Sequence, residues 1–372
     1  MQNFLGNLLR KLRKDNLFLI LLACLALFTA MNPGKIARYP QLVDWPTIAS
    51  LTGLLLLTKG LEISGALHWL GLKIVRIMAT ERAVALSLVA TAALLSTVLT
   101  NDVALFVVIP LTLGVCRLAG MASTKLIVFE ALAVNVGSAL TPIGNPQNIF
   151  LWQRSGVSFV DFVLHMLPLV ALMMAALLLL TGCVFGPRQV QSPDQLLREP
   201  LDTRLILLSV TLFPLFLVAV DLHYPGAAAC ALLAVFLILR PRMVSQLDWG
   251  LLLVFILMFI DLRLLTDTEA IKNMFQRLGL TQPLHLYFAG VGFSQFISNV
   301  PAAIALAEYS DNWRVMAYGV NVGGFGLMIG SLANLIALRL SGDRKAWMAF
   351  HLYAIPALAV ATIMGYLLLG ST

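Results

Sequence analysis

The chain has 372 residues, of which 60% are hydrophobic and 12% charged, with a formal net charge of +7. Soluble domains average about half apolar and about a quarter charged. An ordinary soluble enzyme, a nucleic-acid-binding domain and a disordered chain are therefore excluded, and long unbroken apolar runs argue against a barrel of alternating strands. A mean hydropathy of +0.91 fits the remaining class, an all-α polytopic membrane protein lying in a lipid bilayer.

In chain order, residues 1–16 form a cytoplasmic N-terminal segment carrying Arg10, Lys11, Arg13 and Lys14. The apolar run from Leu17 to Met31 follows. Small residues do not occupy both cleavage positions near its end, so it reads as an uncleaved first transmembrane helix. Full spans are expected at about 17–31, 46–66, 126–153, 161–185, 205–221, 226–240, 248–265, 313–338 and 347–369, about nine in all. Two further apolar stretches, 83–119 and 284–309, hold polar residues near their middles: Thr100-Asn101-Asp102 and Ser298-Asn299. Polar backbone breaks at bilayer depth survive only against protein or a watery cavity. Both stretches are therefore expected to be re-entrant hairpins.

The basic loop residues agree with this path. Nine crossings place Lys73, Arg76 and Arg82, Arg117 and Lys125, Arg188, Arg198 and Arg204, Arg240 and Arg242, and Arg339, Arg344 and Lys345 inside. Lys35 and Arg38 fall outside and run against the scheme. The N-terminus is expected in the cytoplasm and the C-terminus outside, in a bacterial inner membrane. Cys24, Cys116, Cys183 and Cys230 sit in apolar runs and read as packing residues. His68, His165, His223, His285 and His351 are scattered and match no metal-binding spacing, so no metal site is expected. Trp45, Trp69, Trp152, Trp249, Trp313 and Trp347 read as interface anchors.

Three stretches recur in order. Val43-Asp44-Trp45 returns as Leu247-Asp248-Trp249, residues 96–104 (STVLTNDVA) as 294–302 (SQFISNVPA), and 135–148 (NVGSALTPIGNPQN) as 321–334 (NVGGFGLMIGSLAN). Residues 17–186 thus form a first transmembrane repeat containing the hairpin 83–119. Residues 187–225 form a linker with one span, and 226–369 form a second repeat containing the hairpin 284–309. The single intervening span inserts the second repeat upside down. Inverted-topology repeats of this kind belong to secondary transporters.

The chemistry is expected where two hairpin tips meet two broken helices. Gly137, Pro142, Gly144 and Pro146 interrupt one helix; Gly323, Gly324, Gly326 and Gly330 interrupt the other. Such breaks free carbonyls for a cation and expose helix N-termini to an anion. Asn101 and Asn299 offer both an acceptor and a donor. Asp102, a carboxylate at a hairpin tip, is the proton-carrier or cation-ligand candidate. Asp261, beside Arg263, and Glu62, near Lys59, read as ion-paired residues near span ends. Glu130 lies one turn before the broken helix with no role assigned.

At Thr100-Asn101-Asp102, at residues 142–148 (PIGNPQN) and at Ser298-Asn299-Val300-Pro301 the chain resembles the ion transporter superfamily. This grouping includes arsenite permeases, NhaD-type antiporters, citrate–metal symporters and divalent anion/sodium symporters. The resemblance implies two re-entrant hairpins and two unwound helices around a substrate site, in a scaffold that dimerises, here as a homodimer. It implies one cation site at Ser96, Thr100, Asn101 and Gly137, and its symmetry mate at Ser294, Ser298, Asn299 and Gly323 or Gly324. The expected substrate-binding set is Asn101, Asp102, Asn299, Thr141, Asn145, Asn148 and Asn334. Dicarboxylate symporters carry Ser-Asn-Thr at both tips, whereas here the third position is Asp102 or Val300. That departure brings the chain closest to the arsenite permease-like branch and favours H⁺ coupling. The expected function is secondary active transport of a small inorganic or organic anion, coupled to H⁺ or Na⁺, with no cofactor beyond the coupling ion. The alternative is a Na⁺/H⁺ antiporter on the same scaffold. No nucleophile–base pair or nucleotide-binding loop points to an enzyme.

Overall fold

A computed structural model describes residues 10, 12–13, 16–31, 33–66, 69, 80–190, 201–343 and 345–370. The basic loop residues Lys73 and Arg76, residues 191–200 of the linker, and most of the N-terminal segment lie outside them. The described chain is helical, with no β-sheet. The first segment holds α1 (Asn16–Met31), α2 (Trp45–Ile63), α3 (Glu81–Val98), α4 (Asn101–Ala119), α5 (Ser123–Ser138), α6 (Pro146–Ser155) and α7 (Phe159–Val184). After α8 (Thr203–Asp221), the second holds α9 (Pro225–Leu239), α10 (Trp249–Thr266), α11 (Glu269–Arg277), α12 (Pro283–Ile297), α13 (Asn299–Ala307), α14 (Trp313–Val322), α15 (Leu332–Ser341) and α16 (Ala346–Gly370).

Five of these helices, α3, α7, α8, α10 and α16, are long and apolar enough to cross a membrane. Their outer surfaces present large apolar side chains: Leu179 on α7, Leu207 on α8, Ile238 on the shorter α9 and Leu367 on α16 are all more than half exposed. An apolar belt of this size suits lipid, not water. The expected spans 126–153 and 313–338 are each two half-helices, α5 with α6 and α14 with α15.

The repeated Asp-Trp pair has a common local structure. Asp44 Oδ1 accepts from Thr47 N at the start of α2, and Asp248 Oδ1 accepts from Leu251 N at the start of α10. Each satisfies one of the four orphan donors of a helix start. Trp45 Nε1 then donates to Pro40 O and Trp249 Nε1 to Val244 O, both five residues upstream. The motif thus caps a helix and folds the preceding turn against it. Trp152 departs from the expected anchor role: it is 3% exposed, and its indole donates to Val157 O inside the protein.

The two segments interleave. Helix α1 packs on α10 and α9 on α2; α4 packs on α15 and α13 on α6; α5 meets α15 and α14 meets α6. The core centres on the broken helices, where every residue from Leu126 to Ser138 is buried.

Contacts among helix ends define two faces. Helix α2 begins beside Leu42, whose carbonyl accepts from Arg263 Nη1, and ends at Ser64, whose carbonyl accepts from Asp202 N. Its 19 residues separate these ends by about 28 Å. The Ser64 face carries the Asp202–Arg240 pair and the open end of the first hairpin, where Glu81 N donates to Arg188 O. The Leu42 face carries the Lys35–Asp267 pair and the open end of the second hairpin, where Glu308 lies 3.8 Å from Arg154. The hairpins therefore enter from opposite faces. Their arms differ: 18 and 19 residues in α3 and α4, but 15 and 9 in α12 and α13.

Candidate functional site: two hairpin tips against two broken helices

Small residues bring each hairpin against its broken helix. A Cβ built on Gly137 would strike Ala93 O and Ser96 Oγ, and one built on Gly323 would lie 2.5 Å from Ser294 Oγ. The two expected serine–glycine pairs are thus in contact, in matching positions of the two segments. Both hydroxyls are used within their own helices, Ser96 Oγ donating to Ala93 O and Ser294 Oγ to Gly290 O. The immediate role of both glycines is close helix approach.

The tips differ in conformation. Thr100 has φ −63° and ψ 146°, ordinary extended backbone, and precedes α4. Ser298, its counterpart before α13, has φ 73° and ψ 156°. That region is accessible almost only to glycine and costs about 1–3 kcal/mol for other residues. Asn101 is buried; its Oδ1 accepts from Asp102 N and its own N–H donates to Gly144 O in the break after α5. Thr141 ties the same break to the hairpin by donating to Thr97 O at 2.6 Å. On the other side Gln295 performs this task, donating to Gly323 O and accepting from Leu327 N.

The broken helices are joined by asparagines that cross between segments. Asn135 Nδ2 donates to Asn334 Oδ1 and Asn321 Nδ2 to Asn148 Oδ1, each at 2.7 Å. Asn145 Nδ2 adds a bond of 2.9 Å to Asn321 Oδ1. Asn148 Nδ2 also lies within reach of the Ser138, Ala139 and Thr141 carbonyls, and Asn334 Nδ2 donates to Gly324 O. The second hairpin tip joins this cluster: the Cβ direction of Gly324 points 3.3 Å from Asn299 Nδ2 and 3.7 Å from Asn135 Oδ1. Asn145, Asn148, Asn299, Asn334 and Gly324 are thereby gathered at one centre, with Asn101 and Thr141 attached through the first break.

Three buried side-chain oxygens in this region have no hydrogen-bond partner: Asp102 Oδ1, Gln147 Oε1 and, in the second break, Ser331 Oγ. A buried acceptor without a donor is an available cation ligand or protonation site. Asn135, Asn321 and Gln147 were not among the expected site residues. The in-register asparagines that open and close each repeated motif were the available signal for the first two.

Three further acidic residues were read from sequence. Lys59 Nζ lies 2.8 Å from Glu62 Oε1, as expected. Glu130, fully buried, accepts from Thr112 Oγ1 on α4, and its Oε2 has no partner. The expected pairing of Asp261 with Arg263 does not occur. Positions i and i+2 on a helix do not share a face; Arg263 reaches Leu42 O and Glu308, while both oxygens of buried Asp261 lack partners.

Residues 7–317 match the citrate transporter family, CitMHS. The chain belongs to that family. This CitMHS member is 46% identical over 364 residues to the inner membrane protein YbiR of Escherichia coli, with 97% of each chain covered. It is 33% identical over 324 residues to the uncharacterized transporter MJ0456 of Methanocaldococcus jannaschii, covering 85% of this chain and 86% of that one. Membership in CitMHS, one relative named an inner membrane protein and another named a transporter, and the apolar helices agree on an integral membrane protein of a transporter family.

Proposed function

We propose that the chain is a secondary active transporter that moves a small inorganic or organic anion by alternating access, driven by an H⁺ or Na⁺ gradient. The crossed asparagine pairs carry this reading. They join the two broken helices at their gaps, where freed backbone groups suit an anion beside a cation. The interleaved packing and the hairpins' opposite points of entry support an inverted duplication, with residues 17–186 and 226–369 as its halves. The face bearing Arg188, Arg204, Arg240 and Arg242 is read as cytoplasmic, in a bacterial inner membrane, and that bearing Lys35 and Asp267 as external. Asp102 at a tip, in place of a hydroxyl residue, favours the arsenite permease-like branch over a dicarboxylate symporter.

The experiment is a radiotracer screen in proteoliposomes with citrate, arsenite, phosphate, sulfate and Na⁺, each under imposed pH and Na⁺ gradients. Gradient-driven accumulation of one anion is the expected result, lost in Asn101→Ala and Asn299→Ala. Wild-type uptake by both variants would remove the site assignment.

A second reading, a Na⁺/H⁺ antiporter, is favoured by the unpartnered Asp102 Oδ1. In that case Asp102→Asn abolishes cation–proton exchange, and no anion alters the transport current.

A further inference from the structure

On the face read as external, the turn before α2 and the ends of α10 and α13 line a half-open cavity of about 300 Å³. This volume is at the lower bound of small-molecule pockets, about 300 Å³. Four cationic side chains line it, Lys35, Arg38, Arg263 and Lys272, against two carboxylates, Asp267 and Glu308. Asp267 serves two cations at once, Lys35 at 2.6 Å and Lys272 at 2.8 Å. Glu308 is held by Arg263 at 3.1 Å. Arg38 is exposed and, among the described residues, pairs with no carboxylate. Hydrogen bonds from Lys272 and Lys35 hold the Asp267 carboxyl at about 2, so it is fully charged at neutral pH. Even so, the lining keeps two more positive than negative charges; just outside it Glu269, 3.7 Å from Lys272, and Arg154, 3.8 Å from Glu308, add one charge of each sign. Stitching two loops together would need only equal numbers of each sign. A cationic surplus lining an open pocket instead concentrates anions from solution.

We propose that this cavity is a capture site for a small multivalent anion, with Lys35, Arg38 and Lys272 as its ligands. The cavity also adjoins Glu308, at the outer end of α13. The other end of this nine-residue helix is Asn299, about 14 Å deeper at the centre. As a staging post for the transported anion, the site rests on the transporter reading above; as an anion site it stands without it.

The test is protection from acylation, read residue by residue by mass spectrometry on the full-length protein in phosphatidylcholine nanodiscs. Citrate and inorganic phosphate are the probes, at ionic strength held constant with chloride. Either probe is expected to slow acylation of Lys35 and Lys272 several-fold and to leave Lys59, on the other face, unchanged. Arg38→Gln should raise the half-protecting concentration about tenfold, the size of one lost charge-assisted contact. A parallel set in phosphatidylglycerol nanodiscs separates the sources. Protection there without added anion, and none by citrate or phosphate in phosphatidylcholine, assigns the site to a lipid headgroup and overturns the staging role. Acylation unchanged under every condition overturns the site itself. Protection without any gradient-driven uptake overturns the transporter reading and leaves the anion site standing.

Discussion

Asn321 on α14 donates its amide to Asn148 on α6, at 2.7 Å, across 173 residues of sequence. The equivalent bond, Asn135 to Asn334, has the same length and runs the other way between the segments. Each broken helix is thus tied at its gap to the partner half. All four side chains are buried, so an unpaired amide at any of them costs about 1–3 kcal/mol. Asn321→Ala and Asn148→Ala should each lower the thermal midpoint and suppress transport. The double variant should cost less than the sum, with a coupling of about 1 kcal/mol in a double-mutant cycle. Strict additivity would show that the bond carries no energy.

Glycine substitutions separate close approach from helix propensity. Gly137→Ala must push α3 from α5, because its methyl meets the Ala93 carbonyl. The expected cost is about 1–3 kcal/mol. Gly292 on α12 has open space around it, so Gly292→Ala should stabilise by up to about 1 kcal/mol through helix propensity. Thermal unfolding in detergent compares the two.

Ser298→Gly tests the second hairpin tip. Glycine adopts φ 73° without penalty, so the variant should gain about 1 kcal/mol of stability. If the Ser298 hydroxyl ligates the coupling cation, the same variant loses apparent cation affinity in uptake assays. Ser298→Val should lose both, since a β-branched residue is still more strained there.

Asp267 sets an acid limit. Its carboxyl titrates near 3.8 when free and near 2 when held by Lys272 and Lys35. A depressed folded value means that the pairs stabilise fully above about pH 4 and fade as pH falls toward 2. The wild-type thermal midpoint should therefore drop across that window, and Asp267→Asn should flatten the drop. Equal slopes for both proteins would remove this pair from the acid response.

Much of the architecture was legible in the sequence, because its signals are local. The stretches 83–119 and 284–309 are helix pairs over 81–119 and 283–307, each broken at the Asn-Asp or Ser-Asn that interrupts its apolar run. Both helix breaks follow their glycines. The roles of Asn135 and Asn321 were not legible. Register aligns them with each other, whereas each bonds to the far end of the other's motif. Trp152 was misread as an anchor because its apolar neighbours resemble a span end; α6 is instead packed into the core. Asp261 was misread because adjacency in sequence is not adjacency on a helix.

Helix α6 has a mechanical consequence. It is ten residues, about 15 Å, long, and both its ends grip the opposite half. At the centre Asn145 and Asn148 hold Asn321; at the surface Arg154 donates to Ala307 O and lies 3.6 Å from Asp311. A body so short and pinned twice behaves as a strut. A displacement of the second hairpin at the surface would be passed to the central asparagine cluster, and an uncoupled slip would have to break both grips together.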